Sequence, residues 1–275
     1  MSDTSSNNHG GGAGDTSVVR QPHAVLDLPS RRFKGLKIER LLDLANLPQP
    51  IRMLEVGTGS GGIAHYFGTH PQLRCEVDAV DVHDNRLVTE GYRYQQVSDT
   101  QLPFADQSFD VVLTNHVIEH VGDELAQRAH LAEVYRVLRP GGVGYLAVPN
   151  RWMLVEPHYR LVFLSWLPQP IADVYVRLTR KGEYYDCRPL TTHVLESMLD
   201  DTGFSYAQRH GDALIQTYEL ERPDALLYRL LFRLLPNIAY VVLRRAFPTL
   251  IYTLRRNTSN QVGRSGSPDK IAKPY

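Results

Sequence analysis

Cysteine is nearly missing from this chain: Cys75 and Cys187 are the only two in 275 residues. Two thiols so far apart form neither a disulfide framework nor a zinc-knuckle spacing, so a reduced, cytoplasmic setting and no metal are expected. Net charge is missing too, since 30 Lys/Arg balance 30 Asp/Glu, and the overall balance gives no reason to expect nucleic acid as a partner. The opening MSDTSSNNHGGGAGDTS has no apolar stretch. That argues against a signal peptide, and residues 1–30 are expected to form a disordered leader. No internal repeat is visible.

What is present is enough chain for one sizeable core with appended elements. The charge is unevenly placed: residues 225–275 hold nine Lys/Arg and one acid, a net of +8, which leaves −8 on residues 1–224. KGLKIERLLDLANL (34–47) has apolar residues at steps of three and four, which predicts an amphipathic helix ended by Pro48 and Pro50. Strands are predicted at 51–56, 75–82, 92–99, 108–115 and 143–150. Helices are predicted at 63–70, 124–138 and 192–204, and late strands in 204–218. This alternation predicts an α/β fold: a doubly wound, mostly parallel, seven-stranded sheet of the Rossmann-like kind. A cap is expected to be inserted at about 151–190, within a main domain at 31–218. A helical C-terminal extension at 219–257 and a disordered tail at 258–275 complete the expected organisation.

LEVGTGSGG (54–62) runs from an apolar strand into four glycines. The spacing Gly57-x-Gly59-x-x-Gly62 fits a dinucleotide fingerprint as it stands. In an open parallel sheet, ligands sit beyond the carboxyl ends of the strands, so this loop is a binding site by position. Asp81 ends the second strand about two dozen residues later, where an acid can hold a ribose diol. A dinucleotide and a nucleoside remain tied on these residues. Glu55 separates them, because an acid two residues before the first glycine is a poor neighbour for a pyrophosphate and suits an amino-bearing or cationic ligand.

The pattern Glu55-x-Gly57-x-Gly59-x-Gly61 resembles the first motif of class I S-adenosylmethionine-dependent methyltransferases. Asp81, LPFADQSFDVVLTNHVIEHV (102–121) and LRPGG (138–142) follow in the family's order, over about residues 51–150, and resemble the branch that includes quinone-biosynthesis methyltransferases. The resemblance implies S-adenosylmethionine as cofactor. It implies that Glu55, Gly57, Thr58, Gly59 and Gly61 flank the methionine part. Asp81 would hold the ribose, and Val82 would pack near the adenine. Ser98, Asp99 and Thr100 would meet the adenine edge, and Asn115 would lie beside the sulfur. Relatives often place an Asp five residues before the Pro of LPF, where this chain has Ser98, with Asp99 one later.

His116-x-x-Glu119-His120 follows the fourth strand. As HxxEH it mimics an inverted zinc-protease motif, but that motif needs a helix rather than a strand end. Some relatives use Glu-x-x-Glu-His for a divalent ion, whereas His116 replaces the first Glu here. General-base chemistry on a hydroxyl acceptor is the third reading, with His116, His120 and Glu119 as catalytic candidates. The bland alternative is that Glu119 and His120 cap and orient the loop.

The cap RWMLVEPHYRLVFLSWLPQP (151–170) falls where an acceptor pocket is expected, and Glu156, His158 and Tyr159 are its candidate acceptor-binding residues. Residues 225–256 are rich in Leu, Tyr, Val, Phe and Arg. Their longest charge-free run, Leu234–Leu243, is ten residues, too short for a bilayer span of about 20. An amphipathic helix is expected, either lying on a membrane surface, peripheral on the inner face, or forming a helical hairpin that covers the sheet or makes a dimer contact. The function implied is methyl transfer to a small-molecule or lipid-linked acceptor at oxygen. The alternatives are a nicotinamide-dependent oxidoreductase and a non-catalytic peripheral membrane adaptor.

Overall fold

Alternate residues of each central strand serve opposite faces of one sheet. Leu54, Val112 and Leu146 pack into a core on one side; Met53, Val111 and Tyr145 pack into a core on the other. That two-sided burial is why these segments read as continuous apolar runs rather than alternating ones. The computed structural model describes residues 27–222, 224–225 and 247–258. The sheet has seven strands: β1 (Ile51–Val56), β2 (Cys75–Asp81), β3 (Tyr92–Gln96), β4 (Phe109–Asn115), β5 (Leu138–Pro149), β8 (Phe204–Gln208) and β9 (Thr249–Arg256). Their order is β3-β2-β1-β4-β5-β9-β8. β1 to β5 are parallel, and β9 runs antiparallel between β5 and β8.

Helices α1 (Leu28–Leu42), α2 (Gly62–Gly68) and α6 (His210–Glu221) contribute Ile38, Phe67 and Ala213 to one core. α3 (Glu124–Val137) and α5 (Thr192–Thr202) contribute Leu131, Val134, Leu195 and Met198 to the other. This is the doubly wound, mostly parallel arrangement expected. The cap holds a short hairpin, β6 (Val155–Glu156) with β7 (Leu161–Val162), and helix α4 (Gln169–Leu178). It has its own small core around Tyr159, Leu164, Val176 and Tyr185.

Four expectations are corrected. The first helix spans 28–42 rather than 34–47, so it takes in residues assigned to the leader: Pro29 sits in its first turn, and Asp43, in the left-handed region at φ 54°, ends it. The strand after α3 starts at Leu138 rather than 143, because Arg139-Pro140-Gly141-Gly142 continue it instead of turning. Residues 210–218 are helix, not strand; α6 docks on α1, where Lys37 Nζ donates to Thr217 Oγ1 at 2.6 Å. Residues 249–256 are not part of an amphipathic helix. They form β9, whose β-branched and aromatic residues insert between two strands.

Residues 226–246 of the expected helix, the leader before residue 27 and the tail beyond 258 lie outside the described residues. Among the described residues, no helix is long and apolar enough to cross a membrane.

Candidate functional site

The sheet reverses its order between β1 and β4, so the crevice beyond their carboxyl ends is the natural ligand position. The glycine loop fills one wall. The N–H groups of Gly57 and Thr58 both donate to Val80 O, at 2.8 and 3.2 Å, folding the loop back over β2. Gly57 has φ +78°, and a Cβ there would strike the side chain of Val117. Positive φ and that close approach together require glycine. Gly59 and Gly61 also have positive φ, at 55° and 80°. Thr58 is buried, with Oγ1 donating to Val80 O at 3.3 Å.

Glu55, on β1 beneath this loop, is 3% exposed, and its Oε2 has no hydrogen-bond partner. Burial pushes its pKa up to about 8, although Arg31 and a backbone bond at Ala64 oppose the shift. Asp81, at the end of β2, accepts from Gly59 N at 2.8 Å and from His83 N at 3.2 Å. Val82 follows it, and its carbonyl accepts from Gln96 Nε2 at 2.9 Å. Ser98, Asp99 and Thr100 form the bend after β3 on the same edge, with Asp99 Oδ1 accepting from Gln101 N at 2.7 Å. The residues assigned to the two halves of a nucleoside ligand therefore stand at the ends of three adjacent strands.

Asn115 ends β4, and its Oδ1 is buried without a partner. His116 follows in the left-handed region at φ 59°, unusual for a residue with a Cβ and typical of functional turns. This turn aims Nδ1 of His116 to within 3.3 Å of Glu119 Oε1, while His120 Nε2 lies 3.9 Å from the same oxygen. Glu119 is fully buried, and neither of its oxygens is in hydrogen-bond alignment with a partner. Burial opposes ionisation of Glu119, and the two imidazoles beside it favour it. Burial lowers the pKa of His116 despite the pull of Glu119, so the imidazole is neutral near pH 7 and able to accept a proton. The motif lies on a single turn of 3-10 helix, Ile118–His120, not on the longer helix a zinc-protease motif needs.

The cap closes over this end of the sheet. Glu156 is fully buried, with Oε1 accepting from His158 Nδ1 at 2.8 Å and Oε2 from Tyr159 N at 2.7 Å. Tyr159 OH donates to Asp186 Oδ1 at 2.8 Å. Gln127 of α3 clamps the cap to the β4 loop, its Nε2 donating to Ile118 O at 3.2 Å and Arg188 O at 2.9 Å. The rings of His120 and His158 meet edge-on at 5.2 Å, which brings the β4 loop and the cap into direct contact.

Reasoning from sequence missed three residues here. Arg31 and Lys34 come from α1: Arg31 feels the charge of Glu55, and His116 feels that of Lys34. Burial and its basic neighbours push Lys34 down to about 7. Their signal was present, as basic residues on a helix leading into the first strand, but only the fold brings them to the crevice. Cys187, the third, had no sequence signal at all.

Residues 54–146 match a protein family described as Methyltransferase domain. Over 97 residues the chain is 38% identical to an uncharacterized methyltransferase of Mycobacterium sp. (strain JLS), covering 34% of this chain and 37% of that one. Over 140 residues it is 28% identical to a ubiquinone biosynthesis O-methyltransferase of Parvibaculum lavamentivorans, covering 46% and 52%. Over 127 residues it is 34% identical to a ubiquinone/menaquinone biosynthesis C-methyltransferase of Desulfotalea psychrophila, covering 42% and 50%. The chain thus spans between about a third and a half of the length of these relatives, and the family match ends at residue 146, before the cap. With the glycine loop, the acid ending β2 and the β4 turn in place, residues 54–146 form a class I S-adenosylmethionine-dependent methyltransferase domain resembling the quinone-biosynthesis branch.

Proposed function

We propose that this chain transfers a methyl group from S-adenosylmethionine to an oxygen of a small-molecule or lipid-linked acceptor held under the cap. The observation that carries the reading is the pair of orphaned buried oxygens, Glu55 Oε2 and Asn115 Oδ1, on neighbouring strands at the β1/β4 switch. Buried polar atoms without partners are rare, and both of these are acceptors beside a glycine loop. They fit a ligand that brings an ammonium group and a sulfonium methyl. Arg31 beside Glu55 adds the opposite charge, so together they suit the zwitterionic end of an amino acid.

When bound, the cofactor supplies an electrophilic methyl group on a sulfonium sulfur. Glu55 and the Gly57–Gly61 backbone would hold the methionine end, and Asp81 would accept from the ribose hydroxyls. Val82 and the Ser98–Thr100 bend would border the base. Asn115 would hold the reacting end, and positioning of this kind can supply much of the rate. His116, backed by Glu119, takes the acceptor's hydroxyl proton; His120 and Glu119 keep the turn in shape. Glu156, His158 and Tyr159 form the cap wall on the acceptor side.

A lipid-linked acceptor is supported by the cap's outer face, where Trp152, Leu154, Phe163, Trp166 and Ile171 are exposed. Mass spectrometry of lipids and small metabolites with and without the gene is the direct test. A product one CH₂ heavier, absent when the chain carries Gly59→Arg, is the expected result. Calorimetry in which NADH binds and S-adenosylmethionine does not would reverse the reading.

A further inference from the structure

Three side chains remote in sequence converge between the β4 loop and the cap: His120, His158 and Cys187. Their ligand atoms all lie within 4.8 Å of one another. Cys187 Sγ is 3.7 Å from Nδ1 of His120 and 3.7 Å from Nδ1 of His158. A tetrahedral zinc ion with bonds of about 2.3 Å to sulfur and 2.0–2.1 Å to nitrogen sets a sulfur–nitrogen separation of about 3.6 Å. The two sulfur–nitrogen spacings in the protein therefore match those of a tetrahedral metal site.

We propose that His120, His158 and Cys187 bind a zinc-like divalent cation through two nitrogens and one sulfur, leaving a fourth position open toward the acceptor side. This departs from the expectation of no metal, which rested on cysteine spacing along the chain. It also differs from a Glu-x-x-Glu-His set, because two of its three ligands come from the cap.

The donor set selects the ion. One thiolate and two imidazoles suit zinc rather than magnesium or calcium, which take oxygen ligands. The surroundings supply the charge. Asp186 Oδ1 is 3.5 Å from Cys187 Sγ, Glu119 Oε1 is 3.9 Å from His120 Nε2, and Glu156 Oε1 is 2.8 Å from His158 Nδ1. Glu119 lies on the ring nitrogen of His120 that does not face the sulfur, where an outer carboxylate orients a histidine ligand and raises its basicity; Glu156 instead shares Nδ1 of His158 with the ion and gives up that hydrogen bond on binding.

Binding through sulfur releases the thiol proton of Cys187, and binding through Nδ1 of His158 replaces its hydrogen bond to Glu156. His120 and His158 have side chains 21% and 13% exposed, which leaves a path for entry. The ion would fasten the cap to the β4 loop, beside His116 but without using it.

The test uses the full chain, reduced and stripped with a chelator, titrated with Co²⁺ as the probe and then with Zn²⁺. The expected result is a near-ultraviolet thiolate–cobalt absorption band that saturates at one Co²⁺ per chain and is displaced by Zn²⁺. Cys75→Ser keeps the band and Cys187→Ser loses it. His158→Gln, which keeps a polar partner for Glu156, weakens Co²⁺ binding by at least about tenfold. A folded wild-type chain without the band overturns the proposal, however the variants behave. So does a band that survives Cys187→Ser or disappears in Cys75→Ser. Because the readout needs neither S-adenosylmethionine nor an acceptor, its failure is separate from any failure of the methyl-transfer reading.

Discussion

Asp81 Oδ2 accepts the backbone N–H of Gly59 at 2.8 Å, so the end of β2 and the crest of the glycine loop are one unit. Asp81 therefore shapes the loop as well as offering oxygens to a ribose. Asp81→Ala removes both roles. A hydrogen bond to a charged group is worth about 1.5–3 kcal/mol, so S-adenosylmethionine binding is expected to weaken by roughly 10–100-fold. Asp81→Asn keeps an acceptor for Gly59 N and is expected to lose less. Calorimetry on both variants checks this, and equal losses would remove the loop-shaping role.

Glu55 makes cofactor binding pH-dependent. Burial raises it to about 8, with Arg31 opposing and Asp81 adding to the shift, so near pH 7 the free protein holds it mostly protonated. A cationic ligand favours the carboxylate. Binding should then release about one proton at pH 7 and weaken by up to about tenfold for each pH unit below 8. Calorimetry in two buffers of different ionisation heat reads the proton count directly. Glu55→Gln is expected to abolish the release, and a wild-type count near zero would show that Glu55 does not face the ligand's charge.

The proton-accepting role of His116 has a variant suited to its backbone. Asn tolerates the left-handed region at φ 59° and leaves a polar partner for Glu119, while removing the base. His116→Asn should reduce kcat by about 10²–10⁴-fold with little change in cofactor affinity. Unaltered kcat would leave positioning as the whole of the catalysis.

A second histidine sets acid stability. His130 of α3 is buried against β4, its Nε2 3.0 Å from Thr114 Oγ1, and desolvation lowers its pKa from the ordinary 6.5 to about 4. The unfolded chain takes up the proton first as pH falls. The stability that neutral His130 contributes is complete above about pH 6.5 and is lost progressively down to about pH 4. Linkage gives about 2 kcal/mol of that loss by pH 5. Urea unfolding at pH 7 and pH 5 should show a difference that shrinks in His130→Gln by about that amount. An unchanged difference would assign acid sensitivity elsewhere.

The half of the fold between residues 51 and 149 was legible because its signals are local. Apolar runs bounded by glycine, proline and acids mark β1 to β5, and the glycine loop with Asp81 carries its own spacing. Glu55 weighed against the dinucleotide reading of that loop, and the methyltransferase-domain match from Leu54 to Leu146 agrees with it. The ends were misread because tertiary pairing decided them. Thr249–Arg256 looks helical beside its arginines, but it is a strand because β5 and β8 leave an antiparallel slot between them. Likewise residues 210–218 read as strand from sequence, and it is docking on α1 that accompanies their helical form, Lys37 Nζ donating to Thr217 Oγ1. Cys187 was illegible in principle, since nothing near it in sequence points to His120 or His158.

The cap's outer face offers a last test, and it concerns where the acceptor comes from. Phe163 stands in the left-handed region at φ 58° and packs edge-on against Trp166 at 4.9 Å, while Trp166 packs against Trp152 at 5.6 Å. All three are exposed, and Arg151 lies 6.0 Å over the Trp152 ring. Rings with a polar edge and a neighbouring cation suit the headgroup region of a membrane. Phe163→Ser with Trp166→Ser leaves the cap core around Tyr159 and Leu164 untouched. Flotation with anionic liposomes should recover the wild-type chain in the lipid fraction and several-fold less of the double variant. Equal recovery of both would move any membrane contact away from the cap, and a wild-type chain that stays at the bottom would favour a water-soluble acceptor.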